Sequence, residues 1–111
     1  MSAAGRAPEL IIALMNAVEG REEEFSRWYT EEHLPEVVRL PGIANAQRYV
    51  LPEPVRGQLP YAFATVYEVE GSAAEAMRTI YTAEYETHSD ALDVQSMLMS
   101  PFSVLGDPVI P

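Results

Sequence analysis

Two side chains in this sequence have an ordinary pKa near neutrality, His33 and His88. His33 is the stronger candidate for moving a proton. It stands in the string WYTEEHLPE, with Tyr29 four residues before it and Pro35 two after. On a helix that spacing puts Tyr29 and His33 on one face. An imidazole there can take and return a proton as a general acid/base. The Tyr29 hydroxyl can orient a substrate oxygen or stabilise an enolate. Each residue has a plainer reading as well. His33 at a helix end can bond a backbone carbonyl, where the dipole favours a cation. Tyr29 can be a half-buried aromatic with a satisfied hydroxyl.

Further candidates surround this pair. Trp28 reads as packing or as a ligand contact. Arg48 carries a guanidinium shaped for a carboxylate or phenolate, or for an ion pair in an acidic chain. Tyr49, Tyr61, Phe63 and Tyr67 line an aromatic pocket or an ordinary core. His88 repeats the logic of His33 at the end of a second helix, or is an exposed terminal residue. Glu32 and Glu36 flank His33, and either can hold one of its nitrogens.

Other chemistries lack their residues. The chain has two His, far apart, and no Cys, so metal-ligand spacing is missing. Glu31, Glu32 and His33 are consecutive and diverge around a helix. No Gly-rich phosphate loop, nucleophile elbow or dinucleotide fingerprint occurs, and the expectation is an activity without a cofactor. The formal net charge is −10, with seven Arg and no Lys. That balance argues against nucleic acid and against anionic membrane surfaces. No apolar run approaches the ~18 residues of a membrane span. The absence of Cys fits a reducing compartment. Met1–Pro8 lacks the apolar stretch of a signal peptide. The expectation is a cytoplasmic protein.

The elements that position these residues follow from periodicity. Glu9–Val18 is a short apolar run before Gly20 and predicts a buried strand. Arg21–Leu40 predicts a helix with Glu22, Glu23 and Glu24 in its first turn. Pro35 is expected to end or kink it near His33 or Leu34. Ile43–Leu51 predicts a second strand, and Pro52–Pro60 a loop. Tyr61–Val69 alternates large and small residues as a third strand. Ser72 with Glu75 makes a capping box for a helix over Ala73–His88. Ser89–Ser100 is ambiguous, and Ser103–Ile110 predicts the last strand. The order is β-α-β-β-α-β, a ferredoxin-like α+β plan with four antiparallel strands and both helices on one face. Residues 1–8 read as a flexible N-terminus and 9–111 as a single domain. Both faces of the third strand are apolar, so a homodimer burying the uncovered sheet face is expected.

Asn16–Tyr49 resembles the EthD-like branch of the dimeric α/β-barrel superfamily. The matching elements are Asn16-Ala17, Glu19-Gly20, Glu24-Phe25, Trp28-Tyr29, His33-Leu34-Pro35-Glu36, Pro41-Gly42 and Arg48-Tyr49. The resemblance implies a dimeric α/β barrel with a pocket between helices and sheet, and a His of the first helix near that pocket. It also implies a choice of activities on a small hydrophobic or aromatic ligand. These are cofactor-free isomerases, polyketide cyclases and dehydratases; with the spacing above, His33 and Tyr29 are then the expected catalytic pair. The alternatives are a cofactor-free monooxygenase in the same pocket and a non-catalytic binding protein.

Overall fold

Burial alternates residue by residue along the first strand, β1 (Glu9–Ala17), in the computed structural model, which describes residues 7–111. Ile11, Ala13 and Met15 are fully buried on one side, while Ile12 and Leu14 point to the other. The chain then forms α1 (Glu22–Trp28), a π-helical turn (Tyr29–His33) and α2 (Leu34–Val37), which run on without a break. β2 (Ile43–Val50), β3 (Phe63–Val69), α3 (Ala73–Thr82) and β4 (Leu92–Phe102) complete it. The expected flexible N-terminus falls, for residues 1–6, outside the described residues.

All strand pairs are antiparallel, in the order β2-β3-β1-β4. Both helical segments lie on one face, and the core forms between them and the sheet from Ile11, Met15, Phe25, Tyr29, Val37, Tyr67 and Ile80. This sheet is open. β2 and β4 each pair on one side only and are its two edges. The dimeric α/β barrel implied by the resemblance is therefore corrected, and with it the EthD-like membership. What holds of the expected architecture is coarser: four antiparallel strands with two helices on one face.

Three local expectations are also corrected. The last strand is β4, drawn from the ambiguous stretch, and residues 103–111 form no strand. The second helix ends at Thr82, not His88, because its last turn finds other partners. Ala83 turns extended, and the Tyr85 hydroxyl donates to the Ile80 carbonyl at 2.7 Å. The Glu36 carboxylate then accepts from Glu86 N at 2.6 Å, Thr87 N at 3.3 Å and Thr87 Oγ1 at 2.9 Å, which ties this segment to α2. The start of α3 is as the sequence indicates, since Ser72 Oγ accepts from Glu75 N at 3.2 Å.

Pro35 neither ends nor sharply breaks the first helix. The chain widens by one residue instead. The Leu34 N–H bonds to the Tyr29 carbonyl, five residues back, and the helix resumes through Pro35. A proline has no N–H to give and crowds the carbonyl four residues before it, so a wider turn there relieves both problems. Gly42 makes the exit from this helix toward β2. Its φ of 89° is one that L side chains rarely adopt, and its carbonyl accepts from Glu70 N at 2.9 Å.

Candidate functional site

The π turn places Tyr29 and His33 side by side over the sheet. Their ring centroids are 4.9 Å apart. Trp28 stacks on the other side of His33 at 5.0 Å and meets Tyr29 edge-on at 5.8 Å. Tyr85 packs against His33 at 5.3 Å from the segment that follows α3. The imidazole is thus held in a box of three aromatic rings. Burial pushes its pKa below the ordinary imidazole value, against the opposing pull of the Glu36 carboxylate. That shift favours the neutral imidazole, and its Nδ1 is buried with no hydrogen-bond partner among the described residues.

Below Tyr29, the sheet contributes Tyr67 and Arg48. Arg48 pairs with Thr65 across β2–β3, and Ala46 with Tyr67, so these side chains share the helix-facing side. The Tyr29 and Tyr67 hydroxyls lie 3.3 Å apart, a long contact for two hydroxyls. Each tyrosine is 1% exposed. Burial raises the Tyr67 pKa well above the usual phenol range, so it stays a protonated donor. The Arg48 guanidinium carbon sits 4.9 Å from the Tyr29 ring centroid, 5.2 Å from that of Phe25 and 5.4 Å from that of Phe63. Burial lowers its pKa, although the nearby tyrosines oppose the shift.

Buried side-chain polar atoms normally find partners, and each exception calls for a reason. Among the described residues the exceptions are Trp28 Nε1, His33 Nδ1 and Thr65 Oγ1. Thr65 lies on the helix-facing side of the sheet, and Trp28 and His33 stack on each other beside Tyr29. Trp28 offers a donor, while Nδ1 of a neutral His33 and the Thr65 hydroxyl can each serve as donor or acceptor.

The candidates separate accordingly. Trp28, Tyr29 and His33 come together on the first helix, and Arg48 and Tyr67 meet Tyr29 from the sheet. Tyr49 does not join them. It pairs with Ala64 on the opposite face and is 56% exposed. Tyr61 precedes β3 and lines a separate apolar hollow with Tyr49, Leu14 and Leu59. His88 is exposed and shares a surface hollow with Trp28, Arg27 and Glu32. Neither flanking glutamate holds His33 Nδ1, and Glu36 is engaged by Glu86 and Thr87. Sequence reasoning passed over Thr65, a small polar residue in an aromatic strand. The alternation of β3 placed it on the same face as Tyr67, and that was the signal to follow. Among the described residues no three His, Cys, Asp or Glu side chains gather around a metal position, and no helix is long and apolar enough to cross a membrane.

No protein-family model matches the chain, and no curated protein matches it.

Proposed function

We propose that the chain is a cofactor-independent enzyme of the isomerase, cyclase or dehydratase kind, acting on a small apolar carbonyl or phenolic compound. One observation carries this reading: an imidazole held between Trp28 and Tyr29 whose buried Nδ1 has no partner among the described residues, with burial favouring its uncharged form. A neutral His is the base form, and aromatic walls hold it still. The paired Tyr29 and Tyr67 hydroxyls supply donors for an oxygen that gains charge when the neighbouring carbon loses its proton. The loose geometry of the pair leaves either hydroxyl free to turn toward another acceptor.

Proton exchange tests the reading without the natural substrate in hand. Aromatic ketones and 1,3-diketones are incubated with the protein in D₂O, and loss of the acidic C–H signal is followed by proton NMR. Catalysed exchange that falls roughly 10²–10⁴-fold in His33→Gln supports the reading. Exchange unchanged in that variant removes His33 from the chemistry. Oxygen uptake with a phenol would instead make the protein a cofactor-free oxygenase. A compound that binds without exchange or turnover would make it a binding protein.

The same reading includes a homodimer. The sheet face away from the helices presents Leu10, Ile12, Leu14, Val66, Leu98 and Phe102, with Leu98 54% and Phe102 51% exposed. A second copy covering this face gives those side chains the burial that one chain does not. A contact of that kind buries at least about 1,000 Å². Light scattering at micromolar concentration distinguishes a dimer from the monomer that would refute it.

A further inference from the structure

The strongest unanswered feature is the charge of Arg48. The chain has 17 Asp and Glu against seven Arg. Among the described residues the ion pairs are Arg21 with Glu24 and Asp90, and Arg56 with Glu53. Arg48 has none, although it is drawn partly out of water, where a charge most needs an opposite one. Its protein hydrogen bonds both come from one nitrogen. Nη1 donates to the Ser26 carbonyl at 3.3 Å and to Thr30 Oγ1 at 3.1 Å. A guanidinium has five N–H groups. The Nε and Nη2 edge is therefore left without an acceptor among the described residues. That edge is the two-pronged fork that matches the two oxygens of a carboxylate. The rings of Phe25, Tyr29 and Phe63 surround the guanidinium at 4.9–5.4 Å from its carbon and restrict its movement.

Arg48 also lines a hollow of about 370 Å³, together with Ser26, Tyr49, Val50 and Phe63. Its lining holds one charge, that of Arg48, and otherwise a serine and apolar or aromatic residues. The volume lies at the small end of the range of ligand pockets.

We propose that Arg48 and this hollow hold the carboxylate of a small aromatic acid, with its ring lying against Phe63 and Val50. The proposal rests on the functional reading above only in making that acid a substrate; the binding itself stands apart. It narrows the substrate class from carbonyl or phenolic compounds in general to those that also carry a carboxylate. The overall negative charge of the chain disfavours anions elsewhere on its surface, so this position is selective.

2-Naphthoate serves as the probe, with 2-naphthalenemethanol as its neutral match and sulfate as an anion without a ring. Titration is followed by calorimetry and by the Arg48 side-chain Nε–H signal in ¹⁵N-resolved NMR. Saturable binding of one naphthoate per chain that moves this signal is expected. The alcohol should bind at least tenfold more weakly, and sulfate should not displace naphthoate at equal concentration. Arg48→Met, which keeps an apolar stem among the rings, should weaken naphthoate at least tenfold, and Arg48→Lys by less. Equal binding of acid and alcohol overturns the proposal, as does an unshifted Nε–H signal in the unmodified protein. That second readout decides the matter if Arg48→Met does not fold. Naphthoate binding with no proton exchange on any ketone leaves this inference standing and removes the acid/base reading; exchange without naphthoate binding does the reverse.

Discussion

The two faces of the sheet are built from similar residues and differ in where polar groups are tolerated. The helix-facing side carries Ile11, Ala13, Met15, Tyr67 and Val69, all buried. The opposite side carries Leu10, Ile12, Leu14 and Val66, with Leu98 and Phe102 beside them. Apolar content alone does not tell these faces apart. The covered face, however, also holds the Arg48 guanidinium without a carboxylate and Thr65 with a buried, unpartnered hydroxyl, and the helix above it adds Trp28 Nε1 and His33 Nδ1. On the uncovered face the polar groups are ordinary, as where Asn45 donates to Glu68 at 2.8 Å. Structural economy would place the unsatisfied groups where water reaches them. The covered side is where the proposed acid/base and carboxylate sites draw their groups.

The contrast is broken most directly by truncating one ring on each face. Phe25 is fully buried and touches the rings of Tyr29 and Phe63 at 5.3 and 5.2 Å. Phe25→Ala should cost about 3–5 kcal/mol in urea unfolding. Phe102→Ala, at concentrations low enough to keep chains apart, should stay within about 0.5 kcal/mol. At high concentration its melting temperature should fall below that of the unmodified chain, because a dimer adds stability by mass action. Equal costs for the two truncations at every concentration would mean that the faces are not distinct.

Smaller changes sharpen the comparison. Asn16, at the irregular end of β1, donates to the Pro60 carbonyl and accepts from Ala62 N, both at 2.8 Å. Asn16→Ala should cost about 1–3 kcal/mol and speed amide exchange at Ala62. Tyr67→Phe removes one hydroxyl of the buried pair and should cost about 0.5–1.5 kcal/mol, measured in the same urea experiment. A stabilising Tyr67→Phe would show that the pair is held against its own preference.

The smallest effect is a pH dependence. The His33 pKa is lowered on folding, so the unfolded chain binds more protons once the pH falls below about 6.5. Stability should therefore decline from pH 7 toward pH 5, and His33→Gln should flatten that part of the melting-temperature profile. Glu24, Glu36 and Asp90 have lowered pKa values, so their contribution is lost only at more acid pH, below about 4.5. The two windows are separable in one titration series.

The sequence showed the strands well where both faces obey a period of two, as in Phe63–Val69. It showed the start of α3 through Ser72 and Glu75. It failed where tertiary partners outweigh local preference. The stripe through Tyr85 and His88 looks helical, yet Glu36 draws Glu86 and Thr87 out of the helix, and those residues lie fifty positions away. Of the candidate site, the grouping of Tyr29 with His33 was readable from spacing, and Tyr67 from alternation. Tyr49 was not, because a neighbouring strand position points the other way. The free edge of Arg48 was beyond reach, since it depends on which of its nitrogens Ser26 and Thr30 engage.

The π turn has a consequence for how this chain tolerates change in length. Between Tyr29 and Leu34, both buried, the interval is five residues, where a regular helix would bring the face round after three or four. The extra residue is absorbed by widening one turn, so both half-helices keep their apolar faces toward the sheet. Deleting one of Thr30, Glu31 or Glu32 would restore an even winding. Tyr29 and Leu34 would then stand four residues apart, the ordinary spacing of one helix face, and both halves would keep their places in the core. What would change is the interval from Tyr29 to His33, which falls from four residues to three, and with it the packing of the imidazole between Trp28 and Tyr29. A single codon therefore separates this site from a plain amphipathic helix.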